Sequence, residues 1–158
     1  MIRAFGPNEF LYLLEGLKWT VALTAVAFIG GGLLGVVIAL CRTAPNRALR
    51  LLTHGYIEFF RGTPLLMQLF LAHYGLALFG INMNPWLSAT LAFSLHASAF
   101  LGEIWRGSIE AVPRGQTEAS DALGLSYLDR MRFVILAQAA RISVPATVGF
   151  LVTLIKAT

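Results

Sequence analysis

Long stretches without a charged residue alternate along the chain with short arginine-rich segments. The first uncharged stretch runs from Trp19 to Cys41, between Lys18 and Arg42. It is long enough for one transmembrane helix, which needs about 20 residues. The pattern therefore predicts a first span over residues 19–41, preceded by a short amphipathic helix over residues 8–18 at the membrane interface.

The second uncharged stretch, residues 62–102, is too long for one span. Asn82, Asn84 and Pro85 interrupt it near its middle, and such residues mark turns. The stretch therefore predicts a tight helical hairpin, with span 2 over residues 62–80 and span 3 over residues 86–110.

The last uncharged stretch, residues 142–155, is shorter than a membrane span. At about 1.5 Å per residue it does not cross about 30 Å of hydrocarbon. We therefore expect residues 142–158 to form an incomplete span 4, and we expect the chain to continue beyond Thr158.

Composition supports the membrane interpretation. Hydrophobic residues make up 57% of the 158 residues and charged residues 13%, and the mean hydropathy is +0.72. Soluble domains average about 45–50% apolar and about 25% charged residues. The sequence predicts an all-α membrane protein whose residues 1–158 form one transmembrane domain, a bundle of about four spans.

The distribution of arginine predicts the orientation in the membrane, because loops rich in Lys and Arg face the cytoplasm. Arginines crowd two segments and are absent from the hairpin turn between them: Arg42, Arg47, Arg50 and Arg61 in the first, and Arg106, Arg114, Arg130, Arg132 and Arg141 in the second. Both segments are therefore expected in the cytoplasm and the N-terminus outside. Contact with anionic lipid headgroups accounts for the net charge of +4, so we expect no nucleic acid partner.

The second basic segment contains a small amphipathic stretch, EASDALGLS, at residues 118–126. Pro113 suits a helix start, Gly124 suits the left-handed position that ends a helix, and Ser126 with Asp129 resembles a capping box. These signals predict a short cytoplasmic helix within residues 113–125. A solvated connector and a helix that docks in a partner's groove both fit this pattern.

The phrase EASDALG resembles the EAA loop of ATP-binding-cassette importer permeases. Four positions match that pattern and three depart from it: Glu118, Ala119, Gly124 and Leu136 match, whereas Ser120, Val134 and Ala137 replace Ala, Ile and Pro. Two longer stretches, EFFRGTPLLMQLFLAHYGL at 58–76 and GEIWRGSIEAVPRGQTEA at 102–119, resemble permeases of the polar amino acid uptake family.

This resemblance implies a bacterial plasma (inner) membrane permease subunit that moves polar amino acids inward by alternating access. A complete family member carries five spans. The implied partners are two ATP-binding subunits, a second permease copy or paralogue, and an extracytoplasmic amino-acid-binding protein. ATP and Mg would bind to the ATPase, and no cofactor to this chain. The implied ATPase-coupling residues lie in the 113–125 helix: Arg114, Gly115, Gln116, Glu118, Ala119, Asp121, Leu123 and Gly124.

The chain offers no chemistry of its own for ATP hydrolysis or another enzymatic reaction. It lacks a G-x-x-x-x-G-K-[ST] phosphate loop, and His54, His73 and His96 have no metal-ligand spacing. No nucleophile–base pair or metal site is predicted, which disfavours a membrane enzyme. A non-transporting membrane scaffold that recruits a cytosolic protein through the 113–125 helix remains the alternative.

Polar residues within the uncharged stretches are the candidates for a substrate path, because a zwitterion needs hydrogen bonds that replace its water. The deepest of them are Gln68, His96 and Ser98. Glu103 is expected to act either in a structural pair with Arg106 or Arg61, or in substrate contact.

Two further groups in the spans have expected structural roles. Thr63 is expected to cap a helix that begins at Pro64 after a bent entry next to Arg61, so we assign this segment a structural or gating role. The glycines of span 1 are expected to allow close helix packing: Gly30, Gly31, Gly32 and Gly35.

Overall fold

The computed structural model describes residues 6–158, with the backbone alone for residues 7–9. The described residues form helices and no strands. We number the helices α1 (Pro7–Thr43), α2 (Arg47–Gly62), α3 (Leu65–Leu78), α4 (Pro85–Glu110), α5 (Arg114–Ala122) and α6 (Tyr127–Ala157). Short π-helical segments interrupt α3 at Leu71–Gly75 and α6 at Arg130–Ile135.

Helices α1, α4 and α6 are long and apolar enough to cross a membrane, and α3 is a shorter apolar helix. The predicted all-α membrane fold is therefore confirmed. Helix α4 begins one residue before the expected span 3 and ends at the same residue.

Helix α1 differs from the sequence prediction of two separate segments. It is continuous over 37 residues, because Gly16 alone, without a proline or a turn sequence, does not end a helix. Residues 8–18 are thus helical, whereas their location at the membrane interface stays a prediction.

Helix α2 occupies a segment that the sequence analysis treated as a loop. The Asn46 side chain caps it by accepting hydrogen bonds from the amides of Ala48 (2.9 Å) and Leu49 (3.4 Å). Its apolar residues recur with helical spacing, and Ile57 is buried. That spacing was the signal that could have identified the helix.

The prediction that span 2 begins at residue 62 is wrong. Gly62 ends α2, and Thr63 is extended, with φ −106° and ψ 138°. A proline disfavours helical geometry in the residue before it, so Pro64 separates α2 from α3. The helix between Leu65 and Leu78 is about 20 Å long at about 1.5 Å per residue. We call residues 60–64 the elbow.

The predicted shortness of span 4 is also wrong. Helix α6 begins at Tyr127 and contains 31 residues, whereas the prediction counted only residues after Arg141. Arginine side chains near a helix end can reach the membrane surface with their charged groups, so the helix continues through these charged positions.

Close packing between α1 and α4 forms the centre of the bundle. A Cβ atom on Gly31 would lie 2.5 Å from the Ala97 Cβ, and one on Gly35 would lie 3.1 Å from the Leu101 Cβ. The predicted packing role is therefore confirmed for these two glycines. The buried cluster around this contact joins α1, α4 and α6: Ala27, Phe93, Ala97, Leu101, Phe150 and Leu154.

Candidate functional site

Helix α5 has well-defined ends. Gly124 has φ +71°, and its amide donates to the Asp121 carbonyl at 3.0 Å, while the Leu125 amide donates to the Ser120 carbonyl at 3.1 Å. The Ser126 hydroxyl then accepts from the Asp129 amide at 3.2 Å. The predicted left-handed glycine and the predicted cap at Ser126 are both confirmed.

Side chains attach α5 to the first turns of α6. Asp121 forms an ion pair with Arg130. The side-chain amide nitrogen of Gln138 donates to the side-chain oxygen of Gln116 at 3.0 Å. Ser120 is buried, and its hydroxyl donates to the Gln116 carbonyl at 2.6 Å. A displacement of α5 would therefore pull on α6.

An apolar cluster adds to this attachment. Val112, two residues before α5, packs with Ile135 and Ala139 of α6. The segment that enters α5 and the helix that follows it thus share a small core, which holds α5 at one end of the bundle.

Other residues of α5 and of the turn after it are open to solvent. Leu123 is 79% exposed, and Leu128 just beyond the turn is 75% exposed. Within the described residues, Glu118 and Arg114 form no side-chain hydrogen bond or ion pair. Arg114, Gly115, Gln116, Glu118, Ala119, Asp121, Leu123 and Gly124 are all exposed. This part of the described chain thus offers two exposed leucines and two unpaired charges, which a partner could contact.

Gln68 and His96, two of the three residues predicted for a substrate path, lie next to each other. The His96 Nδ1 is 3.2 Å from the Gln68 side-chain oxygen, so this hydrogen bond needs the proton on Nδ1. The Gln68 amide nitrogen donates to the carbonyls of Phe60 (2.8 Å) and Thr63 (3.0 Å). Gln68 thus connects the elbow to α4 through His96.

Ser98 is fully buried and bonds to α2. Its hydroxyl lies 2.7 Å from the Tyr56 hydroxyl, which also donates to the Leu95 carbonyl at 3.1 Å. Burial raises the pKa of the Tyr56 phenol, although the hydrogen bond with Ser98 opposes the shift. Sequence reasoning missed Tyr56, because a tyrosine in an unrecognised helix gives no signal that it faces a neighbouring helix.

Glu103 forms an ion pair within α4. Its carboxylate accepts from the Arg106 Nε at 2.8 Å and from Nη2 at 2.6 Å, while Arg61 of the elbow lies 4.0 Å away. Arg106 also pairs with Glu110 at 2.5 Å. The Arg61 guanidinium lies 5.4 Å from the Phe100 ring centroid.

The expected capping role of Thr63 is wrong. Its hydroxyl donates back to the Phe59 carbonyl at 2.8 Å, and no side chain caps the start of α3 at Pro64. Thr63 has extended geometry and ends α2, so its hydroxyl reaches the free carbonyls of that helix rather than the amides of the next one.

The described part of the chain contains no cluster of three potential metal ligands.

A groove of about 560 Å³ between α1, α4 and α6 is lined by apolar residues, with Ser143 and Thr147 as its polar ones. None of Gln68, His96 and Ser98 lines this groove. These three residues instead form the hydrogen bonds between helices described above.

Comparison with known proteins gives a consistent result. Residues 31–158 match the family described as binding-protein-dependent transport system inner membrane component. The chain is 38% identical over 150 residues to the probable amino-acid ABC transporter permease protein YckA of Bacillus subtilis, covering 95% of this chain and 66% of the relative. It is 41% identical over 143 residues to the L-cystine transport system permease protein TcyB of the same organism, covering 90% and 61%.

A solved structure has a similar fold. The crystal structure of an amino acid ABC transporter with histidines superposes with a TM-score of 0.87 and 34% identity, over 97% of this chain and 73% of that one. Compared with the two Bacillus relatives, the chain spans somewhat less than two thirds of their length.

Proposed function

Because this chain belongs to the family of binding-protein-dependent transport system inner membrane components, we propose that it is the permease subunit of an ATP-driven importer of polar amino acids. Its relatives include an amino-acid permease and an L-cystine permease, which supports this substrate class. We further propose that two ATP-binding subunits, a second permease copy or paralogue and an external amino-acid-binding protein complete the transporter.

The observation that carries this proposal is the combination of an exposed docking face on α5 with its attachment to α6. Leu123 and Glu118 are open to a partner, while Asp121 and Gln116 are bonded to α6. An ATPase bound to that face would displace α5, and α6 would move with it. Such a movement can drive alternating access only if the ATPase binds the two arrangements of the spans with different affinity.

Gln68, His96 and Ser98 remain predicted members of the substrate path. Their hydrogen bonds favour a positioning role. Gln68 and His96 join the elbow to α4, and Ser98 joins α2 to α4. In this proposal they set the position of α2 and α3 relative to α4, and Arg61, Thr63, Pro64, Glu103 and Arg106 support the same region.

Two variants test the coupling role of α5. Replacing Gly124 with Val places a β-branched residue at φ +71°, where its Cβ clashes with the backbone. The turn after α5 would change and the docking face would be misaligned. Glu118→Lys reverses a charge on the exposed face and leaves the turn intact. Gly55→Val is the matched control, because Gly55 lies in α2, outside the coupling residues, and a Cβ added there would meet no atom within 4 Å.

All three variants should reach the membrane in normal amounts. We expect Gly124→Val and Glu118→Lys to lose substrate-stimulated ATP hydrolysis in reconstituted vesicles, and Gly124→Val also to co-purify less ATPase. Gly55→Val should retain more activity than either. Binding and hydrolysis equal to the parent in both test variants would contradict the docking role. Normal ATPase binding by the parent without any transport would instead favour the membrane scaffold.

A further inference from the structure

The N-terminal part of α1 extends beyond the rest of the bundle. Helices α1 and α4 run parallel in a fixed register: Trp19 lies beside Trp86, with ring centroids 4.8 Å apart, and Gly31 packs against Ala97. Helix α4 begins at Pro85, so residues 7–17 of α1 lie beyond its start. At about 1.5 Å per residue this extension is about 16 Å long.

Aromatic and cationic side chains of α1 and α4, located where α4 begins, indicate the level of the membrane surface. The Lys18 ammonium lies 5.1 Å from the Trp19 ring centroid, and that ring packs against Trp86. Tryptophan and lysine are typical of the headgroup level. Because packed contacts join α1 to α4, a tilt of α1 also tilts α4. Tilting therefore does not bring the extension into the hydrocarbon while Trp86 stays at the surface.

The extension is too apolar to project straight into water. We call residues 10–17 the outer segment. Its large apolar side chains are exposed, from Leu14 at 47% to Leu11 at 61%. Helical spacing places Phe10, Leu13, Leu14 and Leu17 on one face and Tyr12, Glu15 and Gly16 on the other.

We propose that the outer segment lies in the headgroup region of the leaflet at the N-terminal end of α1, and that the continuous helix bends where residues 16–18 join this segment to the span. A helix with one apolar and one polar face, next to a membrane span, buries its apolar face at the boundary between headgroups and acyl chains. Gly16 has a weak helix propensity, and a Cβ added there would meet no atom within 4 Å, so Gly16 is not held by packing against another part of the described chain. The lipid surface is the occupant because the segment begins at the level that Trp19 and Lys18 indicate. This inference does not depend on the transported substrate or on the ATPase.

Spin labels on single cysteines test the proposal in the permease reconstituted into vesicles of phosphatidylethanolamine and phosphatidylglycerol. The background is Cys41→Ser, since Cys41 is the only cysteine. Labels at positions 10, 13 and 14 should collide several-fold more with lipid-soluble oxygen than with a water-soluble nickel chelate, relative to labels at positions 12 and 15. Position 29 is the hydrocarbon control, because Ile29 is exposed in the span of α1, and position 123 is the water control, because Leu123 is exposed and lies outside the helices that could cross a membrane.

Uniform access of the nickel chelate to positions 10–15 would show a helix projecting into water, and it would overturn the proposal. Protection from both reagents would show that protein covers the segment, and it would overturn the proposal equally. A paired measurement separates the lipid contact from folding. Leu13→Glu, on the apolar face, should increase amide hydrogen exchange across residues 10–17, whereas Tyr12→Glu should leave it near that of the parent. Equal exchange in these two variants would contradict the predicted faces.

Discussion

At the residue scale, polar groups inside the bundle bond in two ways: several join neighbouring helices, whereas Ser108, Ser120 and Ser143 donate to carbonyls of their own helices. Gln68 uses its amide nitrogen for two backbone carbonyls of the elbow and its oxygen for His96. The Trp105 indole donates to the Thr147 hydroxyl at 3.0 Å, between α4 and α6. Buried polar groups without such partners are costly, so these bonds favour one arrangement of the helices.

Replacing Gly31 with Ala should destabilise the bundle. The added methyl group would lie 2.5 Å from the Ala97 Cβ and 2.9 Å from the Ser94 carbonyl oxygen, so α1 and α4 would have to separate. Overpacking of this kind costs about 1–3 kcal/mol. Thermal unfolding in detergent measures the effect, with Gly149→Ala as control because Gly149 has open space at its Cβ position. Equal melting temperatures for the two variants would contradict the packing role.

The sequence was sufficient to identify residues but not their partners. The sequence shows that three polar residues, Gln68, His96 and Ser98, lie within apolar stretches. Whether such a residue faces a path or another helix depends on rotation about the helix axis and on the position of α2. Because α2 was not recognised, its Tyr56 could not be assigned to Ser98. Glu103 was easier, since its partner Arg106 is three residues away on the same helix.

At the element scale, punctuation by Gly, Pro and Ser predicted the region around α5 well, because these residues act through local geometry. Gly124 and Ser126 determine where α5 ends and α6 begins, without reference to the rest of the fold. The ends of the spans were predicted less well. Charge gaps located them, but α6 continues through Arg130 and Arg141, and charge alone does not end a helix.

Glu103→Gln tests the ion pair on which the end of α4 depends. The substitution removes the negative charge and one of the two oxygens that accept from Arg106, while Arg106 keeps Glu110 as a partner. We expect destabilisation of about 1–3 kcal/mol and little change in substrate preference. Thermal unfolding and a transport profile across amino acids measure the two effects.

Glu110→Gln is the matched control for this pair. Glu110 is more exposed than Glu103, so its loss should cost less, since exposed ion pairs contribute about 0–1 kcal/mol. Unchanged stability of Glu103→Gln with an altered amino-acid profile would assign Glu103 to substrate contact instead.

At the scale of the whole molecule, the helix directions place the hairpin turn and the arginine-rich segments at opposite ends of the bundle. Helices α1 and α4 run parallel. Helix α3 is antiparallel to α4, because Gln68 meets His96 and His73 meets Ser88. Helix α6 is antiparallel to α4 as well, as its contact between Thr147 and Trp105 and its stacking of Phe150 on Phe100 show. The hairpin turn near Asn84 therefore lies at one end of the bundle, and α5 lies at the other, with Arg114 and with Arg130 and Arg132 of the adjoining first turns of α6.

This arrangement predicts that the end with α5 is cytoplasmic, because positive charge near the spans favours that side. Single cysteines in a Cys41→Ser background test it in intact cells with a membrane-impermeant maleimide. Met83→Cys, in the hairpin turn, should react from outside, whereas Leu123→Cys should react only after the membrane is permeabilised. Both side chains lie outside the helices that could span the membrane, so the difference reports the side of the membrane and not depth within it. Labelling of position 123 in intact cells, with position 83 protected, would reverse the orientation and place α5 out of reach of a cytoplasmic ATPase.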